Sequence, residues 1–281
     1  MIRSFDEPAG KNPREPGPRS LLRSIERALA AKSNEPSDRA QDLFYEAMDA
    51  PSEAEAIKLL EKALKLDAGN VDVLLALLRY ETFSPAEEIQ FLQKLVTLAE
   101  TRLGPKAFKE FTGAFWGFHE TRPYMRVREM LAEHLRVAGK LEEAVAEYEG
   151  MLELNPGDNQ GVRYSLLPCL LILQRLEAAR KLFEKYPEEF EFNAVFAWGR
   201  VLERFLSEDL AGATAALAVA RKQNPHMQVY VKGHRQIPKT SPEAYAPGSK
   251  EEAVCFADVV RAAWEKYPAA LKWLEAQKTI G

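Results

Sequence analysis

Apolar residues return every three or four positions along most of the chain, a spacing that predicts helices. Leu21, Leu22, Ile25 and Leu29 form the first such stripe, over 20–32. From Arg39 to about Pro225 the period persists between short polar breaks, and no stretch alternates in the way a half-buried strand does. Ser52-Glu53-Ala54-Glu55, Ser84-Pro85-Ala86-Glu87 and Ser249-Lys250-Glu251-Glu252 each fit the Ser-x-x-Glu capping box. Glu or Pro follows in the first turn, where the helix dipole and the missing N–H favour them. The expected class is all-α.

Residues 1–19 hold Pro8, Pro13, Pro16 and Pro18 among charges and predict a disordered tail. Residues 20–36 read as a short helix and linker, with Arg19, Arg23 and Arg27 beside the apolar stripe. That helix either docks on the main body or lies on a membrane surface.

The chain also repeats itself. Gly139-Lys140-Leu141-Glu142-Glu143-Ala144, followed by Tyr148, Met151 and Asn155-Pro156, is similar to the second half of a tetratricopeptide unit, with Leu131, Ala132 and Leu135 as first-helix positions. Ala178 lies 34 residues beyond Ala144, with Leu182 at the aromatic position, and Ala213 lies 35 beyond Ala178, with Leu217 and Asn224-Pro225 following. An earlier unit centres on Ala56, Leu60 and Ala63. Small residues let paired helices approach, and no unit can bury its apolar face alone, so stacking is required. The resemblance implies a right-handed superhelix of stacked antiparallel helix pairs with a C-terminal helical cap. Degenerate repeats are expected over 37–125, regular tetratricopeptide units over 126–228, and a loop with the cap over 229–281.

Beyond the third unit come Asn224-Pro225-His226-Met227-Gln228-Val229-Tyr230, then Ile237-Pro238, Gly248-Ser249-Lys250-Glu251-Glu252-Ala253, Trp264 and Ala270-Leu271-Lys272-Trp273-Leu274. This order resembles the C-terminal region of the suppressor-of-tumorigenicity-seven family of tetratricopeptide proteins. That resemblance implies no enzymatic activity. Animal members of the family are membrane-associated, but this sequence has no transmembrane stretch to match, so that property does not transfer. From the residues alone, 249–276 is an amphipathic helix pair with Phe256, Val259, Val260, Trp264, Leu271 and Leu274 on its apolar face.

Charge narrows the choices. The 38 Lys and Arg against 42 Asp and Glu give a formal charge of −4, without the basic excess that phosphate backbones require. Cys169 and Cys255 stand in apolar surroundings and read as buried thiols. The longest apolar stretch, Leu166 to Leu173, contains Pro168 and falls short of the roughly twenty residues a bilayer needs. With no signal-peptide pattern at the start, a cytoplasmic protein is expected.

Two polar motifs interrupt the repeats. One is Glu120-Thr121-Arg122-Pro123-Tyr124-Met125-Arg126, preceded by Phe115-Trp116-Gly117-Phe118-His119, and the other runs from Asn155 to Tyr164. Both fall at or just before the first helix of a unit, the helix that lines the concave groove in this architecture. Arg122, Arg126, Arg163 and Arg200 would then offer bidentate contacts to acidic groups of a protein or peptide partner. Tyr124, Tyr164 and Trp198 would add apolar anchors, and Asn159 a polar one. The competing structural reading has Asp158 and Asn159 as an N-cap, and Arg122 or Arg163 locking neighbouring units through Glu120 or Asp158. A co-chaperone-like carboxylate clamp is not expected, because Glu129 and Glu133 stand beside Arg126 and Arg136 where the clamp needs cations.

Enzymatic signals are sparse. His119, His134, His226 and His234 form no ligand pair, and no nucleophile elbow, phosphate loop or dinucleotide fingerprint appears. No cofactor is expected. The reading is a non-catalytic scaffold that binds a protein or peptide segment in its groove; the alternative is a metal-assisted hydrolase using His119 and Glu120.

Overall fold

The computed structural model of the protein describes residues 18–30 and 37–277. Of the tail expected over 1–19, residues 1–17 lie outside the described residues, as does the linker over 31–36, whereas Pro18 and Arg19 begin the first helix. Every regular element described is a helix, and no strand occurs among the described residues. The chain divides into two compact units, with the boundary between Gln160 and Gly161.

The first unit runs through α1 (Pro18–Ala30), α2 (Asp38–Met48), α3 (Glu53–Leu66), α4 (Val71–Leu78), α5 (Pro85–Phe111), α6 (Arg122–Val137) and α7 (Leu141–Leu154). α1 packs on α5 and buries Leu21 and Ile25, whereas Leu29 stays exposed. The pairs α2 with α3 and α6 with α7 follow short turns. Side-chain oxygens of Ser52, Asn70 and Ser84 accept from the N3 amides of α3, α4 and α5. Only Ser84 completes the reciprocal box: the Glu87 carboxylate receives its backbone N–H at 2.9 Å.

α5 is broken at Gly104, whose φ of 67° and ψ of 165° belong to a region that essentially only glycine enters. Pro105 follows and has no N–H to donate, so the helix restarts without the bond it would otherwise lose. Residues on both sides of this break face the groove described below. A 3-10 turn, Phe115–Gly117, then leads into α6. Phe108, Phe115 and Tyr124 meet edge to face or tilted there, with centroids 5.2–6.0 Å apart.

The second unit holds α8 (Arg163–Ile172), α9 (Leu176–Lys185), α10 (Glu189–Phe192), α11 (Ala194–Leu206), α12 (Leu210–Gln223), α13 (Met227–Val231), α14 (Lys250–Glu265) and α15 (Pro268–Ala276). α11 is its centre and packs on α8, α9, α12, α14 and α15. At Gly199 it approaches α8 so closely that a Cβ would stand 2.8 Å from a Leu167 methyl. Phe183, Phe196, Trp198 and Trp264 are fully buried there, aromatic residues that each remove about 150–250 Å² from water.

One turn is made three times. Gly139, Gln174 and Glu208 take positive φ of 75°, 54° and 61° at the ends of α6, α8 and α11. The next amide, on Lys140, Arg175 or Asp209, donates to a carbonyl five residues back, on Leu135, Leu170 or Arg204, at 2.8–3.0 Å. This is the Schellman closure, in which a left-handed residue satisfies the carbonyls that end a helix. Five residues beyond the left-handed position stand Ala144, Ala179 and Ala213, each wholly buried. Ala178 and Leu182, aligned with Ala144 and Tyr148 on spacing alone, are therefore one residue out of register. Ala179 and Phe183 fill those places, because the backbone turn rather than a 34-residue count sets the start of α9.

The Asn155–Tyr164 motif also differs from expectation. Asp158 is not an N-cap: it has φ of 45°, and α8 begins only at Arg163, after Gly161 at φ of 74°. Ser249 caps α14 by accepting the Glu252 amide at 3.0 Å, but the Ser249 N–H donates to the Ala246 carbonyl rather than to the Glu252 carboxylate. That carboxylate accepts from the Ala194 amide, the Gln223 and Asn224 side-chain amides and the Gly248 amide, at 2.7–3.2 Å. Glu252 is 0% exposed, and every donor it receives is neutral. One carboxylate thereby joins the start of α11, the end of α12, the loop before α14 and α14 itself.

Candidate functional site

The first unit contains an open groove of about 910 Å³ between α2, α4, α5 and α6. Ala99, Leu103, Ala107, Phe111, Val71 and Pro123 give it apolar surface. Its polar lining includes Asp38, Gln41 and Tyr45 from α2, Asp72 from α4, Arg102, Lys106 and Glu110 from α5, and His119, Glu120, Arg122 and Arg126 from in or before α6.

Two buried ion pairs set its polar groups. Asp72, 2% exposed, receives Arg126 through Nε at 2.9 Å and Nη2 at 2.6 and 2.7 Å. The same aspartate accepts Gln41 Nε2 at 3.1 Å, and Gln41 Oε1 accepts Asn70 Nδ2 at 3.0 Å. Asn70 Oδ1 accepts the Val73 amide as the cap of α4, so the relay joins α2, α4 and α6. Asp67 takes both ends of the Arg102 guanidinium at 2.8 and 2.9 Å and ties the α3–α4 turn to α5. Asp67 also accepts the Gly69 amide, at 3.0 Å.

Arg122 is fixed differently. Its Nε donates to the Trp116 carbonyl at 2.9 Å, and its guanidinium carbon stands 5.7 Å from the Trp116 ring centre. Tyr124 turns inward: it is 3% exposed and donates its hydroxyl to Glu100 Oε1 at 3.0 Å. Burial, then the Glu100 carboxylate, drives its ionisation well above the usual phenol range, against the lowering influence of Arg128. Tyr124 thus reaches the groove only as part of its wall. Asn159 is exposed outside the groove lining, its Oδ1 accepting from Asn155 Nδ2 at 3.1 Å.

The other four candidates belong to the second unit and are engaged in side-chain networks there. Arg163 donates through Nη2 to Glu189 Oε1 at 2.6 Å and lies over the Tyr164 and Tyr186 rings. Tyr164 donates to the other oxygen of Glu189 at 2.8 Å, so the buried Glu189 locks both. Trp198 is 0% exposed, packs edge to face against Trp264 and presents no surface to a partner. Arg200 covers Phe183 and Phe190 and stands 3.8 Å from the buried carboxylate of Glu203. Burial, then repulsion by Arg204 and Arg180, lowers its proton affinity.

Of the eight candidates, the structure therefore gathers Arg122, Tyr124 and Arg126 at one groove. His119 and Glu120 line the same groove and are exposed. Among the described residues no three His, Cys, Asp or Glu side chains converge as ligands for a metal ion. No helix of the described residues is long and apolar enough to cross a membrane.

Asp72, Lys106 and Tyr45 also line the groove and are not among the eight candidates. Asp72 had a legible signal, a single carboxylate within the otherwise apolar Val71–Leu78. Lys106 and Tyr45 look in sequence like any exposed helix residue, and only the packing of α2 and α5 brings them together. No family model matches the chain, and no curated protein matches it.

Proposed function

We propose that the protein is a non-catalytic binding module of the tetratricopeptide type, which holds a peptide segment of a protein partner in the groove between α2, α4, α5 and α6. The observation that carries this reading is the groove itself. About 910 Å³ of open space with an apolar floor lies between helices already tied by the Asp67 and Asp72 ion pairs. A floor fixed before binding needs little reorganisation, which lowers the entropic cost of capturing an extended chain. The thrice-made Schellman turn, with a buried alanine five residues on, supports the tetratricopeptide assignment.

The lining carries both signs of charge: Lys106, Arg122 and Arg126 beside Asp38, Glu110 and Glu120. The suited partner segment is amphipathic and mixed in charge rather than uniformly acidic. Selection from a random peptide display library, followed by calorimetry, tests the proposal. Selected peptides should bind with micromolar affinity and lose binding in Ala107→Trp, which fills the groove. Failure to enrich any peptide, or binding indifferent to Ala107→Trp, would overturn it.

A further inference from the structure

The cations of the groove differ in what balances them. Arg102 and Arg126 are each matched by a buried aspartate. Arg122 is half-buried and, among the described residues, meets a carbonyl and an indole face but no carboxylate. Both of its Nη groups, and Nη1 of Arg126, make no hydrogen bond among the described residues. Arg122 and Arg126 are one turn apart on α6, the spacing that places two side chains on the same helical face. Arg122 and Pro123 open α6, where the unpaired amides of a sixteen-residue helix add positive potential.

The acids that line the groove are placed otherwise. Asp38, Glu110 and Glu120 are all exposed, so water and salt screen them, whereas the guanidiniums sit deeper against low-dielectric walls. Lys106, exposed on α5, adds a further cation to the lining. Burying charge without a counter-charge is unfavourable, and an incoming anion that supplies one recovers part of that cost.

We infer that the α6 end of the groove is an oxyanion subsite, in which Arg122 and the unused edge of Arg126 take a carboxylate or phosphoryl group. Asp72 acts as a positioning residue, holding the Arg126 plane so that Nη1 stays available. The inference rests on the groove being the binding site, and it adds what the bound segment must carry at that end.

Side-chain Nε–Hε resonances of the arginines, followed by NMR during titration with inorganic phosphate and separately with acetate at constant ionic strength, provide the test. Phosphate or acetate should shift the Arg122 and Arg126 signals with saturation, and the tighter of the two identifies the phosphoryl or carboxylate form. Arg122→Gln should weaken that binding at least about tenfold, the loss expected for one charge-assisted hydrogen bond, while Arg122→Lys retains part of it. Shifts that stay linear with both anions, or equal affinity in Arg122→Gln, would overturn the inference. Selected peptides that bind where neither anion saturates would remove the subsite and leave the groove reading standing. Saturation by an anion without any enriched peptide would do the reverse.

Discussion

Arg126 and Arg122 stand one turn apart on the same helix, yet their substitution should have different consequences. Arg126→Ala leaves Asp72 buried with only Gln41 as a side-chain partner, and should cost about 2 kcal/mol in urea unfolding, reduced from the usual cost of a broken buried pair because Arg126 is partly exposed. Arg122→Gln strands no buried carboxylate and should leave the unfolding midpoint nearly unchanged. Charge reversal at Arg126 or Arg163 is therefore a poor test of binding, because both arginines hold buried acids. Alkaline pH offers a second measurement at this scale. Burial raises the ionisation of Tyr124 and Tyr164 in the folded protein, so both stay neutral where an unfolded tyrosine, near pH 10, ionises. Their contribution to stability is complete below that pH and is lost as pH rises above it. Thermal melts from pH 9 to 11 should fall more steeply for wild type than for a Tyr124→Phe, Tyr164→Phe double variant.

At the scale of the element, much was legible. The three-to-four spacing of apolar residues located the helices, and Ser52, Ser84 and Ser249 each cap one. What spacing did not reveal was backbone conformation at the joints. Gln174 and Glu208 occupy the left-handed turn that Gly139 occupies, and neither letter marks it, so a count of 34 residues from Ala144 lands one short of the buried Ala179. The break at Gly104 was equally hidden, since a Gly-Pro inside an apolar pattern does not announce which neighbouring helix it serves. Left-handed geometry costs a residue with a Cβ about 1 kcal/mol. Gln174→Gly and Glu208→Gly should therefore each stabilise the fold by about 0.5 kcal/mol after the added chain entropy of glycine is subtracted. Chemical denaturation with a shared slope would measure it, and Gly139→Gln should shift stability in the opposite direction.

At the scale of the whole molecule, the candidate site was only partly readable, because assembly decides which polar residues are spent. Arg163, Tyr164 and Trp198 have the composition of a binding surface, but the Glu189 lock and the aromatic core consume them. Arg122 and Arg126 line one groove with Asp72 and Lys106, and Lys106 joins them only through the packing of α5. The second unit depends comparably on Glu252. Glu252→Ala would leave the Ala194 and Gly248 amides and the Gln223 side-chain amide without their acceptor, at a cost of about 3 kcal/mol or more. Tryptophan fluorescence in a Trp116→Phe background reports on this unit alone, through Trp198, Trp264 and Trp273, and its transition should move to markedly lower denaturant.

The thrice-made turn has a consequence for recognising such chains. Its three instances are spelled Gly139, Gln174 and Glu208, one residue without a Cβ and two with long polar side chains. What they share is a torsion angle and the amide one step later that reaches back five residues. A comparison that scores letters meets disagreement at the very position where the three backbones coincide. A comparison that scores torsions would align the three pairs on that position first and read the side chains outward from it.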